Sequence, residues 1–146
     1  MRTFVTAAVI AILPAALVTA CGDEGPEAET FAATLSGAAE VPPVTTNATG
    51  TATFTLTGNS LAFAITVTDI DEANAAHIHA GAAGANGGVM VGLFDGPTTA
   101  AGFSGTLAEG TVTVVDSVIT RLQNGTAYVN VHTDANPGGE IRGQVQ

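Results

Sequence analysis

The sequence predicts an all-β domain, an antiparallel Greek-key sandwich or barrel that also contains one short helix. Three observations support this fold class. Apolar and polar residues mostly alternate with a period of two from residue 31 onward, and turn signals recur between the alternating runs. Only one segment has the pattern of a helix. The length of 146 residues fits a single domain of this kind.

The clearest strands form a predicted hairpin. Residues 51–57 alternate threonine with apolar side chains, and residues 61–67 also place their large apolar side chains at every second position. Gly58 and Asn59 lie between the two runs and are typical of a tight turn. Each strand therefore has one apolar face for a core and one more polar face.

Three further runs complete the predicted sheet. Residues 89–94 form a short apolar run that glycines precede and interrupt, and residues 128–132 alternate again. Residues 141–145 form a closing strand almost at the chain end. Turn signals separate these runs, as expected for strands of an antiparallel sandwich or barrel.

The one predicted helix covers residues 116–125. Asp116 or Ser117 can serve as its N-cap, because a short side-chain oxygen can accept a hydrogen bond from the first turn. Gly125 is the expected C-terminal stop, since glycine adopts the left-handed conformation that ends many helices.

The chain begins with a predicted export signal at residues 1–20. Arg2 precedes an apolar run at residues 4–18, which is short for a membrane span and suits a signal peptide. The run ends at Val18, Ala20 and Cys21, and this spacing resembles the bacterial lipobox. The resemblance implies that Cys21 becomes the mature N-terminus and is lipidated, which would anchor the protein to a membrane.

Residues 21–30 are predicted to be a lipidated cysteine followed by an acidic, flexible linker. Gly22 follows the cysteine, and the lipoprotein resemblance then implies the outer membrane or periplasm if the host is Gram-negative. Cys21 is the only cysteine, so an intrachain disulfide cannot form.

The charge balance excludes one class of partner. The chain has 13 acidic and 3 basic side chains, with a formal net charge of −10. Nucleic-acid binding needs clustered lysine and arginine to neutralise phosphates, so we expect no nucleic-acid partner. An acidic surface favours solubility and can attract cations.

The candidate site consists of the three histidines, His77, His79 and His132. His77 and His79 are two residues apart on a predicted strand and share one face, with Ile78 on the other. His132 faces outward if its apolar strand neighbours fill the core. Three imidazoles on neighbouring strands can hold one copper or zinc ion. The alternative is that these rings make structural hydrogen bonds to the adjacent loops.

Four other polar residues are predicted near these histidines. Asp134 and Asn130 are expected to support the metal ligands from a second layer, with Asp134 orienting a ring. Glu140 and Arg142 share a strand face and are expected to form an exposed ion pair. The glycine-rich loops at 80–88 and 134–140 lack the spacing of a nucleotide-binding motif.

Three ordered blocks of sequence resemble the CHRD family, named for repeats in chordin. They lie at residues 35–44, 76–89 and 128–144, and the resemblance extends over about residues 31–146. In chordin these repeats belong to an extracellular antagonist of growth factors. The resemblance therefore implies an extracytoplasmic CHRD domain and says little about its bacterial activity.

A second, weaker resemblance is to Cu/Zn superoxide dismutase, which also carries His-x-His and a later histidine outside a Greek-key barrel. It implies a superoxide dismutase-like barrel, with an immunoglobulin-like sandwich as the alternative, and copper ligands at His77, His79 and His132. The chain lacks a fourth, bridging histidine and the disulfide of that family. These departures argue against dismutase activity, whereas a site for one copper ion is compatible with these residues.

The sequence favours a membrane-anchored, extracytoplasmic binding or structural module over an enzyme. Its cofactor would be one copper or zinc ion, and its attachment to the membrane would be the lipid on Cys21. Two alternatives remain open. One is a copper-dependent redox enzyme, and the other is a metal-free module that binds a protein or polysaccharide through its loops.

Overall fold

The computed structural model describes residues 25–146. These residues form eight strands, one short 3-10 turn and one α-helix. The strands are β1 (Ala28–Ser36), β2 (Thr49–Thr57), β3 (Ser60–Ile70), β4 (Ala73–Ala80), β5 (Val89–Asp95), β6 (Phe103–Thr113), β7 (Ala127–Thr133) and β8 (Ile141–Gln144). The 3-10 turn is Gly37–Ala39, and the helix α1 is Asp116–Gln123.

All strand pairs are antiparallel and belong to one sheet in the order β5-β4-β7-β8-β1-β2-β3-β6. The edge strands β5 and β6 contact each other, so the sheet curls into a nearly closed barrel. The connections from β3 to β4 and from β6 to β7 cross between opposite parts of the sheet. This architecture confirms the predicted all-β class.

The β2–β3 hairpin follows the predicted alternation. Thr57 pairs with Ser60, and Gly58 between them has a φ of 60°, which glycine adopts without a steric cost. The large apolar side chains of both strands are buried and the threonines of β2 are exposed. Cross-strand pairs such as Phe54 with Phe63 line the barrel interior.

Strand β7 departs from simple alternation because all seven of its residues are buried. Val129 and Val131 fill the barrel interior as predicted. The alternate residues Tyr128, Asn130 and His132 point away from the interior, where the sequence suggested an open outer surface. They are nevertheless buried, because the loops at 81–88 and 134–140 fold over this face.

The predicted helix is present as α1, which ends at Gln123. Its apolar side chains Val118 and Leu122 lie four residues apart and are buried against the barrel. The predicted N-cap is wrong by one or two positions. Val115 occupies the N-cap and makes no side-chain capping bond. Gly125 follows the helix with a φ of 63°, as a C-terminal stop requires.

The N-terminal end of the domain lies slightly earlier than the sequence indicated. Strand β1 begins at Ala28, which pairs with Thr57, so residues 28–30 of the predicted linker are part of the sheet. The predicted signal peptide and Cys21 lie outside the described residues. No helix among residues 25–146 is long and apolar enough to cross a membrane.

Candidate metal site

The three histidines lie on two hydrogen-bonded neighbours, strands β4 and β7. His77 and His79 occupy alternate positions of β4, and Ile78 between them is fully buried in the core. On β7, His132 pairs with Ala75, two residues before His77. His132 is therefore a diagonal neighbour of His77 on the same outer face of the sheet.

The side chains converge. Nδ1 of His77 lies 2.9 Å from Nε2 of His132, and the ring centroids of these two residues are 4.8 Å apart. The His79 ring centroid lies 5.7 Å from that of His77 and 6.0 Å from that of His132. One ligand nitrogen from each ring can be chosen so that all three lie within 4.8 Å of one another. The structure thus brings together the three predicted ligands.

Two backbone carbonyls define which nitrogen of each buried ring is free. Nδ1 of His79 lies 3.0 Å from the carbonyl oxygen of Gly87, and Nδ1 of His132 lies 3.0 Å from that of Pro137. A carbonyl oxygen only accepts hydrogen bonds, so each Nδ1 must carry the proton. Each neutral ring then presents an unprotonated Nε2, the form in which histidine binds a metal.

The Nε2 atom of His79 is the most informative of these ligand atoms. It is buried and has no hydrogen-bond partner among the described residues. A buried polar atom without a partner is costly and calls for an explanation. A metal ion between the three rings would supply the missing interaction, so the donor set fits copper or zinc.

The surroundings keep two of the rings neutral. Burial lowers the pKa of His77, the neighbouring His132 and His79 rings lower it further, and the charge of Asp95 raises it in part. Burial also lowers the pKa of His132, while its hydrogen bond to Pro137 opposes this effect. At neutral pH both rings therefore have a lone pair available for a metal.

One side of the cluster is accessible. His79 and His132 are buried, whereas His77 is only partly buried. His77 borders a surface groove on β4 and β5, whose other lining residues are Ala75, Gly92, Leu93, Phe94 and Asp95. If the three rings held a metal, a water molecule or another small ligand could reach it from the His77 side.

The two predicted supporting residues have different positions from those expected. Asp134 is exposed, and its Oδ1 accepts a hydrogen bond of 2.6 Å from Nδ2 of Asn74. The Pro137 carbonyl takes the orienting position at His132 that the sequence assigned to Asp134. Asn130 is buried but donates to the carbonyl of Gly138, at 3.2 Å, rather than to a histidine. It therefore supports the loop beside His132 and contacts no ligand nitrogen directly.

The expected exposed pair of Glu140 and Arg142 is also wrong. Both side chains are buried, and each bonds to different partners. The Glu140 carboxylate accepts hydrogen bonds from the hydroxyl groups of Thr46 and Thr133 and from the amide of Asn136. Arg142 donates to the loop at 81–88. The loops that cover this face of the barrel account for both the burial and the partners.

Sequence reasoning missed the stack behind His79. The rings of His79 and Tyr128 are nearly parallel, with centroids 4.9 Å apart and an angle of 9°. The guanidinium carbon of Arg142 lies 3.4 Å from the centroid of the same Tyr128 ring. The available signal was the single arginine of the closing strand, placed on the same face as the tyrosine.

Comparison with known families finds a match that covers nearly all of the barrel. The CHRD domain family model matches residues 31–145. No curated protein and no solved structure matches the chain. The matched range contains β2 to β8 and all three histidines. This protein therefore belongs to the CHRD domain family.

Proposed function

We propose that this CHRD domain is an extracytoplasmic binding module that holds one copper or zinc ion through His77, His79 and His132. The observation that carries the proposal is the unpartnered, buried Nε2 of His79, which lies in the same cluster as the ligand nitrogens of the other two rings. Membership of the CHRD family supports a binding or structural module.

The choice of metal follows from the ligands. Imidazole nitrogen suits zinc and copper, whereas calcium and magnesium prefer oxygen ligands. Two nitrogens on a tetrahedral zinc ion lie about 3.3 Å apart, given Zn–N distances of about 2.0–2.1 Å. The 2.9 Å between His77 Nδ1 and His132 Nε2 is close to that value, so only small ring movements are needed for this pair.

Metal titration of the purified protein tests the proposal. Isothermal calorimetry with Zn(II), and separately with Cu(II), should give one ion per chain at neutral pH. Loss of this binding in His79→Ala would assign the ion to the cluster. Equal binding by the wild type and by His79→Ala would contradict the proposal.

The proposed location depends on Cys21. The lipobox-like residues that precede it support cleavage after Ala20 and lipidation of the cysteine. A predicted acidic linker would then separate the domain from the membrane. Mass spectrometry of the protein from a bacterial membrane fraction should find acyl chains on Cys21, and Cys21→Ser should release the protein from the membrane. An unmodified, unprocessed N-terminus would contradict this part of the proposal.

A second candidate function is a copper-dependent redox enzyme, favoured by the accessible side of His77. The charge of the protein argues against superoxide as its substrate. Asp95 borders the groove at His77, and the formal net charge of −10 repels an anion. Copper-loaded protein should therefore remove superoxide no faster than an equal amount of free copper. Faster turnover that is lost in His132→Ala would favour the enzyme instead.

The third candidate is a metal-free module that binds a protein or polysaccharide partner through its loops. The hydrogen bonds of His79 and His132 to loop carbonyls favour this reading if no metal binds. Under this alternative, a variant with all three histidines changed to alanine would fold and retain its function, although it would lose the loop contacts.

A further inference from the structure

The closing strand places two buried charges beneath the loops that cover the candidate site. Glu140 and Arg142 flank Ile141, which is fully buried in the core. The period of two puts both charged side chains on the opposite, outer side. They remain 6% and 2% exposed, respectively. Burying a charge is expensive, so the specific partners of each one are informative.

Arg142 holds the loop at 81–88. Its Nη1 donates to Oδ1 of Asn86 at 2.8 Å, and its Nη2 donates to the carbonyl of Ala85 at 2.7 Å. Asn86 in turn donates to the carbonyl of Val41 at 2.6 Å. Hydrogen bonds from a guanidinium are stronger than those between neutral groups. The loop is therefore held in place immediately before Gly87.

Gly87 connects this loop to the first buried histidine. Its carbonyl accepts the Nδ1 proton of His79 at 3.0 Å. Arg142 also covers one face of Tyr128, and Tyr128 stacks on the His79 ring. Arg142 thus acts on His79 in two ways, through the Gly87 carbonyl and through the aromatic stack.

Glu140 holds the other loop in an equivalent way. Its Oε1 accepts from Thr46 at 2.7 Å, and its Oε2 accepts from Thr133 at 2.7 Å and from Asn136 at 3.2 Å. This carboxylate therefore helps to hold the loop at 134–139 through Asn136. The loop includes Pro137, whose carbonyl accepts the Nδ1 proton of the second buried histidine, His132.

We infer that Arg142 and Glu140 are positioning residues for the candidate metal site. Arg142 fixes the Nδ1-protonated form of His79, and Glu140 fixes the same form of His132. Each does so by holding the loop that carries one orienting carbonyl. The inference rests on the proposed function for what the free Nε2 atoms bind. The two tautomers themselves can be measured without any metal.

The test is long-range ¹H–¹⁵N correlation NMR of the histidine rings in the metal-free protein. Wild type should show His79 and His132 protonated on Nδ1. Arg142→Lys should produce mixed tautomers at His79 and leave His132 unchanged. Glu140→Gln should do the reverse. Arg121→Lys and Glu109→Gln, which make the same substitutions at exposed positions elsewhere, are the matched controls and should change neither ring.

Milder variants keep the test decisive if either buried substitution prevents folding. Asn86→Ala removes an exposed partner of Arg142, and Asn136→Ala removes a partly buried partner of Glu140. Each should affect the same ring as the corresponding buried variant, to a smaller degree. The inference would be overturned if the folded variants at Arg142 and Asn86, and those at Glu140 and Asn136, all kept the wild-type tautomers. Equal changes at both rings would also overturn it.

Zn(II) titration separates this inference from the proposed function. If zinc binds the wild type, each buried variant should weaken its affinity about tenfold, as observed for groups that orient metal ligands. If the tautomers respond selectively but zinc does not bind the wild type, the positioning roles stand and the metal proposal fails. If zinc binds and the variants retain full affinity, the positioning roles are contradicted.

Discussion

Nδ1 of His77 and Nε2 of His132 lie 2.9 Å apart, although 55 residues separate them in the chain. Because Nδ1 of His132 donates to Pro137, its Nε2 is an acceptor, and His77 must donate to it when no metal is bound. A metal ion bound to both nitrogens would take the place of this hydrogen bond, and the proton on His77 would move to its Nε2. The proton position in this pair therefore depends on whether a metal is bound, and protonation of either ring competes with the metal.

Removal of one ligand should abolish tight metal binding. We expect His132→Ala to weaken the affinity for Zn(II) at least about 100-fold, because only two nitrogen ligands remain and structural zinc sites need four groups, mostly from protein. Calorimetric titration measures the effect. Asp134→Asn is the matched control, since Asp134 contacts Asn74 rather than the cluster, and it should leave the affinity unchanged. A larger loss in Asp134→Asn than in His132→Ala would show that the ligands are assigned incorrectly.

The metal-free protein should lose stability in acid. Burial lowers the pKa of His77 and His132 below the ordinary value of 6.5, so the folded state binds these protons more weakly than the unfolded chain. The free energy of unfolding therefore falls as pH drops below about 6.5, until the lowered pKa values are passed. Urea unfolding at about pH 7.5 and about pH 5.5 measures this loss. A variant with both residues changed to glutamine should lose less stability over the same interval, and an equal loss would contradict the assignment.

Glu40 should have the opposite pH dependence. Burial raises the pKa of its carboxyl above 4.5, although Arg142, Asn130 and the backbone of Val41 lower it in part. The folded state then binds this proton more tightly, so the contribution of Glu40 to stability falls as pH rises above about 4.5.

The substitution that follows from this is Glu40→Gln. Oε1 of Glu40 is buried without a hydrogen-bond partner among the described residues, and a neutral amide avoids the cost of burying a charge there. We expect the variant to be more stable than wild type at neutral pH, by about 1 kcal/mol, and nearly equal at about pH 4.5. Thermal unfolding at both pH values measures this, with the exposed Glu109→Gln as control. A destabilised variant at neutral pH would show that attraction to Arg142 outweighs the cost of burial.

Two adjacent glycines of the loop beside His79 should respond differently to alanine. A Cβ at Gly87 would overlap the carbonyl oxygen of Ala80, whereas a Cβ at Gly88 would meet no atom within 4 Å. Gly87→Ala must move the backbone that carries the carbonyl bonded to His79. We expect it to cost about 2 kcal/mol of stability or more and to weaken zinc binding.

Gly88→Ala is the matched control and should change both quantities little. Chemical denaturation and zinc titration of the two variants, measured side by side, give the comparison. Similar behaviour of the two would indicate that the loop adapts freely and does not constrain His79.

Local patterns in the sequence were sufficient to predict much of the fold. The alternation in residues 51–57 and 61–67 predicted the β2–β3 hairpin, and α1 appeared where the helical pattern was found. The His77-x-His79 spacing placed both rings on one face, because neighbouring side chains in a strand point in opposite directions. Each of these features depends on residues close together in the chain, whose arrangement the backbone geometry determines.

The tertiary structure alone decided which distant parts meet. Pairing of β4 with β7 brings His132 to His77, and the folding of two loops over β7 buries Tyr128 and His132. The same two loops supply different partners to Arg142 and to Glu140. Alternation shows which face of a strand is apolar, but it cannot show which loop covers the other face. That choice depends on contacts between residues far apart in the chain, and these form only when the whole barrel packs.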